Sequence, residues 1–174
     1  MPPPAATAAA ATIAGALRRL AAGLYDALLL LAVFVVLTLL LLALNGGAAI
    51  TRAAVGRWEY GYVALLLGSV AAYHGSAWTR SGETLGMKAW RIRVEGDDGA
   101  RLRWRAVLVR LACAAPLYLV ALGGVLAFMA RRTGWPLLAA CCLPPVASYT
   151  WLIATGRGTL HDRLSRTRVV RTRS

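Results

Sequence analysis

RLAAGLYDALLLLAVFVVLTLLLLAL, Arg19 to Leu44, decides the fold. Between Leu20 and Leu44 the run carries a single charge, Asp26. At about 1.5 Å of helical rise per residue it exceeds the roughly 20 apolar residues that cross a bilayer. A carboxylate inside such a helix costs roughly 2.5–3.5 kcal/mol on insertion scales, so it calls for a partner or a task. The run follows Arg18-Arg19 and is far longer than the roughly 7–15-residue core of a signal peptide, with no A-x-A cleavage site after it. It reads as an uncleaved first transmembrane helix.

Composition points the same way. The 174 residues are 59% hydrophobic, more apolar than an ordinary soluble domain, and the length fits one domain. Lys and Arg number 20 against 7 Asp and Glu, a formal charge of +13. In a soluble chain that excess suggests nucleic acid. Here no base-reading motif is present and the basic residues lie between apolar segments. They read instead as positive-inside bias and attraction to anionic lipid head groups, with no nucleic-acid partner. Cys113, Cys141 and Cys142 sit in apolar segments without metal-site spacing and read as small buried hydrophobes, a redox role for the vicinal pair being the alternative. No nucleophile with its base, phosphate loop or zinc spacing is present, so no catalytic residue, metal or cofactor is assigned and the chain reads as non-enzymatic.

Four spans are expected, at about 20–44, 60–78, 106–129 and 135–153, behind a loose Pro- and Ala-rich tail at 1–16. In the second span Ala64, Gly68, Ala72 and Ser76 recur every four residues, a small face that lets another helix approach. His74 in the same span reads as a packed helix residue, with a titrating relay as the alternative. Pro144-Pro145 should kink or break the fourth span. Trp58, Tyr60, Trp78, Trp135 and Trp151 fall near span ends, where aromatic rings anchor. With four spans, one side carries sixteen of the 20 Lys and Arg, which places both termini and the connection between spans two and three in the cytoplasm.

That connection alternates charged and apolar residues in Lys88–Val94 and again in Arg101–Arg105, around Gly96-Asp97-Asp98-Gly99. Period-two patterning about a D-G turn predicts a β-hairpin over about 88–105. The fold class is thus an all-α membrane protein of four helices with a cytoplasmic β-hairpin between helices two and three. Arg91, Arg93, Arg101, Arg103, Arg105, Arg166 and Arg168 form its basic, lipid-facing surface. The Arg157–Arg173 tail reads as part of that surface, a docking strand being the alternative.

Arg19 and Asp26 share a helix face, but two turns separate them by roughly 10 Å, too far for a direct bond. Arg110 enters the third span from the same side at similar depth, so an Asp26–Arg110 pair is expected. Asp162, after the fourth span, is level with Arg19, and an Asp162–Arg19 contact is expected there. These four residues form the candidate charge cluster, read either as a structural ion-pair set or as a proton or cation site.

Three motifs in order carry a family resemblance. They are Arg18-Arg19-Leu-Ala-Ala-Gly-Leu-Tyr25-Asp26, then Gly82-Glu83-Thr84-Leu85-Gly86-Met87-Lys88 continuing to Arg110, then Leu160-His161-Asp162-Arg163-Leu164-Ser165-Arg166. They resemble the RDD family of small integral membrane proteins, named for one arginine and two aspartates. Arg19 matches the arginine, and Asp26 and Asp162 the aspartates. The similar region makes residues 17–170 one membrane domain, with 171–174 a tail. The resemblance implies a multi-pass protein of the bacterial inner membrane. Some members are proposed to exchange cations for protons, and others act as partners in membrane complexes. The expected function is therefore assembly or interaction, with a homo-oligomer or a membrane protein as partner. The alternative is a small cation/proton antiporter using Asp26 and Asp162.

Overall fold

A computed structural model describes residues 12–46 and 58–172. Helix α1 spans Ala16–Leu44 and α2 Trp58–Arg80. A five-residue helix α3, Leu85–Ala89, leads into strand β1, Ile92–Gly96. Helices α4, Trp104–Met129, and α5, Trp135–Thr155, follow, then a second five-residue helix α6, Leu160–Leu164, and strand β2, Thr167–Arg171.

Among the described residues, three helices are long and apolar enough to cross a membrane: α1, α4 and α5. Helix α2 has 23 residues, enough for the crossing by length. Its Tyr62, Ser69, Tyr73, His74 and Ser76 keep it less apolar than the other three. Leu24, Leu28, Leu31, Leu39 and Leu40 on α1 are all exposed, as a helix solvated by lipid requires. The small face expected on α2 is also open, with Ala64, Gly68 and Ala72 exposed and no atom near the space a Gly68 Cβ would take.

One expectation is corrected by the sheet. The hairpin over 88–105 does not form. The chain does turn at Gly96–Gly99, where Gly99 N–H donates to Gly96 O at 2.9 Å. The returning segment then leaves the ladder: Arg103 becomes the N-cap of α4, and the Trp104 ring packs against Gly75 of α2. Strand β1 instead pairs antiparallel with β2 from the tail, with Val94 opposite Val169. Val169 and Val170 supply two adjacent buried β-branched side chains, which suit a sheet better than the arginine-rich 101–105 segment. Helix α5 continues through Pro144-Pro145, so the chain does not break at the two prolines, although each removes a main-chain donor.

The expected loose tail is shorter than 1–16 within the described residues. Ile13 bridges Val170, Ala14 is fully buried, and Ala14 N–H donates to Val169 O at 2.9 Å. Residues 1–11 of that expectation lie outside the described residues. At the other end Arg171 belongs to β2 and Thr172 N–H donates to Arg91 O, while residues 173–174 lie outside the described part. The core therefore sits at one end of the helices. Ala14, Ala22, Trp78, Ile92, Val94, Leu102, Val107 and Val169 gather there beneath the strand pair.

Candidate functional site

Asp26 and Asp162 lie in separate seats at this end, and each engages the start of a short helix. Asp26 projects from the third turn of α1 and is buried. Its Oδ1 accepts from Tyr73 Oη at 2.7 Å and from Gly86 N–H at 2.9 Å, and its Oδ2 accepts from Thr84 Oγ1 at 2.5 Å. Thr84 is the N-cap of α3, and its hydroxyl also accepts from Met87 N–H. The start of a helix leaves N–H donors without intrahelical partners, and a carboxylate satisfies them. Gly86 is required at this seat, because a Cβ there would run into the Ala22 carbonyl oxygen and lie 2.9 Å from the Asp26 carboxylate.

The expected Asp26–Arg110 pair is not formed. Arg110 turns to Asp162, its Nη1 lying 2.6 Å from Asp162 Oδ1. That approach is off the hydrogen-bond direction, so the attraction there is coulombic. Arg110 also donates to Thr167 Oγ1 at the start of β2 and stacks over the Trp78 ring, 5.3 Å from its centroid. Among the described residues no Lys or Arg reaches Asp26, because uncharged donors on α2 and α3 fill its coordination.

Asp162 is the third residue of α6 and 1% exposed. Its Oδ2 accepts from Thr159 N–H at 3.0 Å and from Arg19 Nη1, the latter the contact expected from the chain. Arg19 reaches further, donating from Nε to Ala14 O at 2.9 Å and from Nη2 to Val169 O at 3.3 Å. One guanidinium thus joins α1, the amino-terminal segment, α6 and β2. Burial alone would raise the Asp162 pKa, but Arg110 and then Arg19 outweigh it and hold the carboxyl well below the usual carboxylate range. His161, beside it, accepts or donates at Thr159 Oγ1, 3.0 Å from Nε2. Burial and then the Arg110 charge push its pKa down to about 4, so it is neutral near pH 7.

Of the four candidate residues, Arg19, Arg110 and Asp162 are brought together and Asp26 is set apart. Tyr73, Thr84, Gly86, Trp78, Thr159 and Thr167 complete the two seats; none was named as a site residue in the sequence, where Trp78 was read only as a span-end aromatic and Thr84 and Gly86 only as part of a motif. Thr84 and Thr159 had a legible signal, since a threonine just before a leucine reads as an N-cap. The basic residues Arg91, Arg93, Arg101, Arg103, Arg105 and Arg166 are exposed as expected of a surface. Arg168 is half-buried and is tied down, donating from Nε to Glu95 Oε1 at 2.8 Å, while Arg93 donates to Glu95 Oε2 at 3.0 Å. No group of three or more metal-ligating side chains occurs among the described residues.

Neither the curated proteins nor the solved structures include a match to this chain. The model of the RDD family matches residues 13–166, a region that contains both aspartates and all three membrane-length apolar helices. The chain is therefore a multi-pass membrane protein that belongs to the RDD family.

Proposed function

We propose that this is a non-enzymatic assembly protein of the bacterial inner membrane. In this reading α2 completes a set of four spans, and both termini and the strand pair face the cytoplasm. The positive-inside bias supports that orientation, because sixteen of the 20 Lys and Arg then lie on the side of the sheet. The Arg19–Asp162–Arg110 cluster fixes the cytoplasmic face. Exposed arginines of that face contact anionic head groups, each contributing about 1 kcal/mol near the surface. A membrane protein or a second copy of the chain is the partner that assembles on the fixed face.

One observation carries this reading. Asp162 is almost fully buried, with Oδ2 satisfied by Arg19 and Thr159 N–H and Oδ1 held by Arg110. A carboxylate so enclosed is already charge-compensated by two fixed cations, and it acts as a tie between elements.

The second reading, a cation/proton antiporter, is favoured by a different observation. Asp26 is a buried carboxylate in a membrane helix that no Lys or Arg reaches among the described residues, and hydroxyl groups hold both of its oxygens. Such groups in spans mark proton and cation pathways. Proteoliposome flux driven by sodium or potassium, run beside thermal melting, separates the readings. No flux from well-folded protein, with melting lowered in Asp162→Asn, supports assembly. Flux that a folded Asp26→Asn variant loses supports transport and rejects the assembly reading.

A further inference from the structure

Residues 84–94 and 159–169 align without a gap. Thr84-Leu85, Lys88, Arg91, Arg93 and Val94 stand against Thr159-Leu160, Arg163, Arg166, Arg168 and Val169, each pair 75 residues apart. The same offset relates the elements. It carries α3 (Leu85–Ala89) onto α6 (Leu160–Leu164), β1 (Ile92–Gly96) onto β2 (Thr167–Arg171), and the last residue of α2, Arg80, onto that of α5, Thr155.

The backbone repeats in detail. Thr84 has φ −79 and ψ 173, and Thr159 has φ −78 and ψ 168. Arg91 and Arg166, which follow the caps of the short helices, both have positive φ, 53 and 52. Hydrogen bonds repeat as well. Leu85 N–H donates to Tyr73 Oη on α2, and Leu160 N–H to Ser148 Oγ on α5, both pairs obeying the same offset. Thr172 N–H donates to Arg91 O, and Asp97 N–H to Arg166 O, so each unit offers the other the same bond.

Equivalent residues of two antiparallel strands face each other only at a two-fold axis, and Val94 faces Val169. The first helices correspond as well, at a separation of 91 residues rather than 75. Leu17, Arg19, Leu20 and Ala21 on α1 correspond to Leu108, Arg110, Leu111 and Ala112 on α4. Two pairs of equivalent arginines then converge on single acids. Arg19 and Arg110 hold Asp162, and Arg93 and Arg168 hold Glu95. The positions equivalent to those acids are apolar, Met87 and Val170.

We infer that the chain is a tandem duplication of one unit, two long helices followed by a short helix and a strand. The units are seated about a pseudo-two-fold axis through Val94 and Val169, and each pair of equivalent arginines clamps one acid at the seam. Two buried carboxylates of like charge side by side repel, so the seam accommodates one acid per pair, and either unit can supply it. Met87 is the unused acidic position opposite Asp162.

The test moves the acid across the seam. Asp162→Met leaves Arg19 and Arg110 facing each other without an anion and lowers the melting temperature in detergent. Adding Met87→Asp to that variant restores at least half of the loss if the units are equivalent. A double variant no more stable than Asp162→Met overturns the inference. A second measurement does not depend on rescue. In the full chain with Cys113, Cys141 and Cys142 replaced by serine, Val94→Cys with Val169→Cys forms an intramolecular disulfide under mild oxidant. Ile92→Cys with Thr167→Cys, equivalent positions at opposite ends of the register, does not. Cross-linking of the second pair in place of the first rejects the axis.

Discussion

Arg110 and Asp162 face each other at 2.6 Å between α4 and α6, both nearly sealed from solvent. Arg19 closes the same carboxylate from α1. Removing one member of such a set leaves a buried charge without its counterpart, which costs about 3–5 kcal/mol. Asp162→Asn strands two guanidinium groups, whereas Arg110→Gln leaves Asp162 paired with Arg19. Thermal or denaturant unfolding in detergent should therefore rank Asp162→Asn below Arg110→Gln. The double variant should be less damaged than the two single losses added together. Equal damage from the two single variants, with simple additivity, would mean the contact contributes nothing.

The pH dependence of stability follows from the same site, and both groups act in one direction. His161 titrates near 6.5 in an unfolded chain and at about 4 when folded, so protons bind the unfolded chain more readily. Its contribution is complete above about pH 6.5 and is lost as pH falls toward 4. At about 1.36 kcal/mol per pKa unit the loss is on the order of 3 kcal/mol. Asp162, also depressed, adds a further loss below the ordinary carboxylate range, near pH 4. His161→Gln should flatten the limb between pH 6.5 and 4 and leave the lower limb in place. An unchanged upper limb in that variant assigns the loss to other groups.

Two glycines should respond in opposite ways to the same methyl group. A Cβ at Gly86 meets the Ala22 carbonyl oxygen and the Asp26 carboxylate, so Gly86→Ala pushes α3 away from α1 and opens the Asp26 seat. Overpacking of this kind costs about 1–3 kcal/mol. A Cβ at Gly68 meets nothing within 4 Å, and alanine is the better helix former by roughly 0.5–1 kcal/mol. Melting of Gly68→Ala at or above wild type, with Gly86→Ala clearly below it, is the expected pattern.

What the chain disclosed in advance depended on whether a feature carries its own partner in its pattern. A lipid-spanning helix does, since most of α1 beyond the buried Arg19, Ala22 and Asp26 faces outward, and hydropathy alone finds it. The Arg19–Asp162 contact was legible because opposite charges at matched depth complement each other. The same reasoning misassigned Asp26 to Arg110. Its true partners, Tyr73 Oη, Thr84 Oγ1 and Gly86 N–H, carry no charge and so leave no electrostatic trace in the sequence. Alternation likewise marked Lys88–Val94 as strand-like, of which Ile92–Val94 belong to β1 and Lys88-Ala89 to α3, but alternation does not fix which segment pairs with it. The nearby Asp98-Gly99 suggested a local return, while the tail, 75 residues on, supplied the better valine pair.

The equivalence of α2 and α5 gives a topology that labelling can check. If α2 takes the path of α5, Ser81→Cys and Arg157→Cys, just past the two helix ends, lie on one side of the membrane. Asn45→Cys, after α1, and Thr133→Cys, between α4 and α5, lie on the other. With the three native cysteines replaced, an impermeant maleimide applied to intact cells should label Asn45→Cys and Thr133→Cys and spare the first two until the membrane is opened. Labelling of Ser81→Cys together with Asn45→Cys would place α2 along one surface and leave three crossings.

Arg91 and Arg166 each follow a short helix in the left-handed region, where a side chain is strained and glycine is the usual residue. For an L-residue that conformation costs on the order of 1–2 kcal/mol. Their main-chain bonds do not depend on the side chain. Arg91 N–H donates to Lys88 O and Arg91 O accepts from Thr172, while Arg166 N–H donates to Arg163 O and Arg166 O accepts from Asp97. Glycine keeps all four bonds and removes the strain, though it loosens the unfolded chain and so returns part of the gain. Arg91→Gly and Arg166→Gly should each melt at or above wild type, by up to about 1 kcal/mol. Binding to vesicles rich in anionic lipid should weaken in the same variants, because each loses one exposed cation from the basic face. Stability that rises while vesicle binding falls would show that these two arginines are held in strained backbone for the sake of what they meet outside the protein. Lower stability in either variant would instead assign the side chain a structural contact.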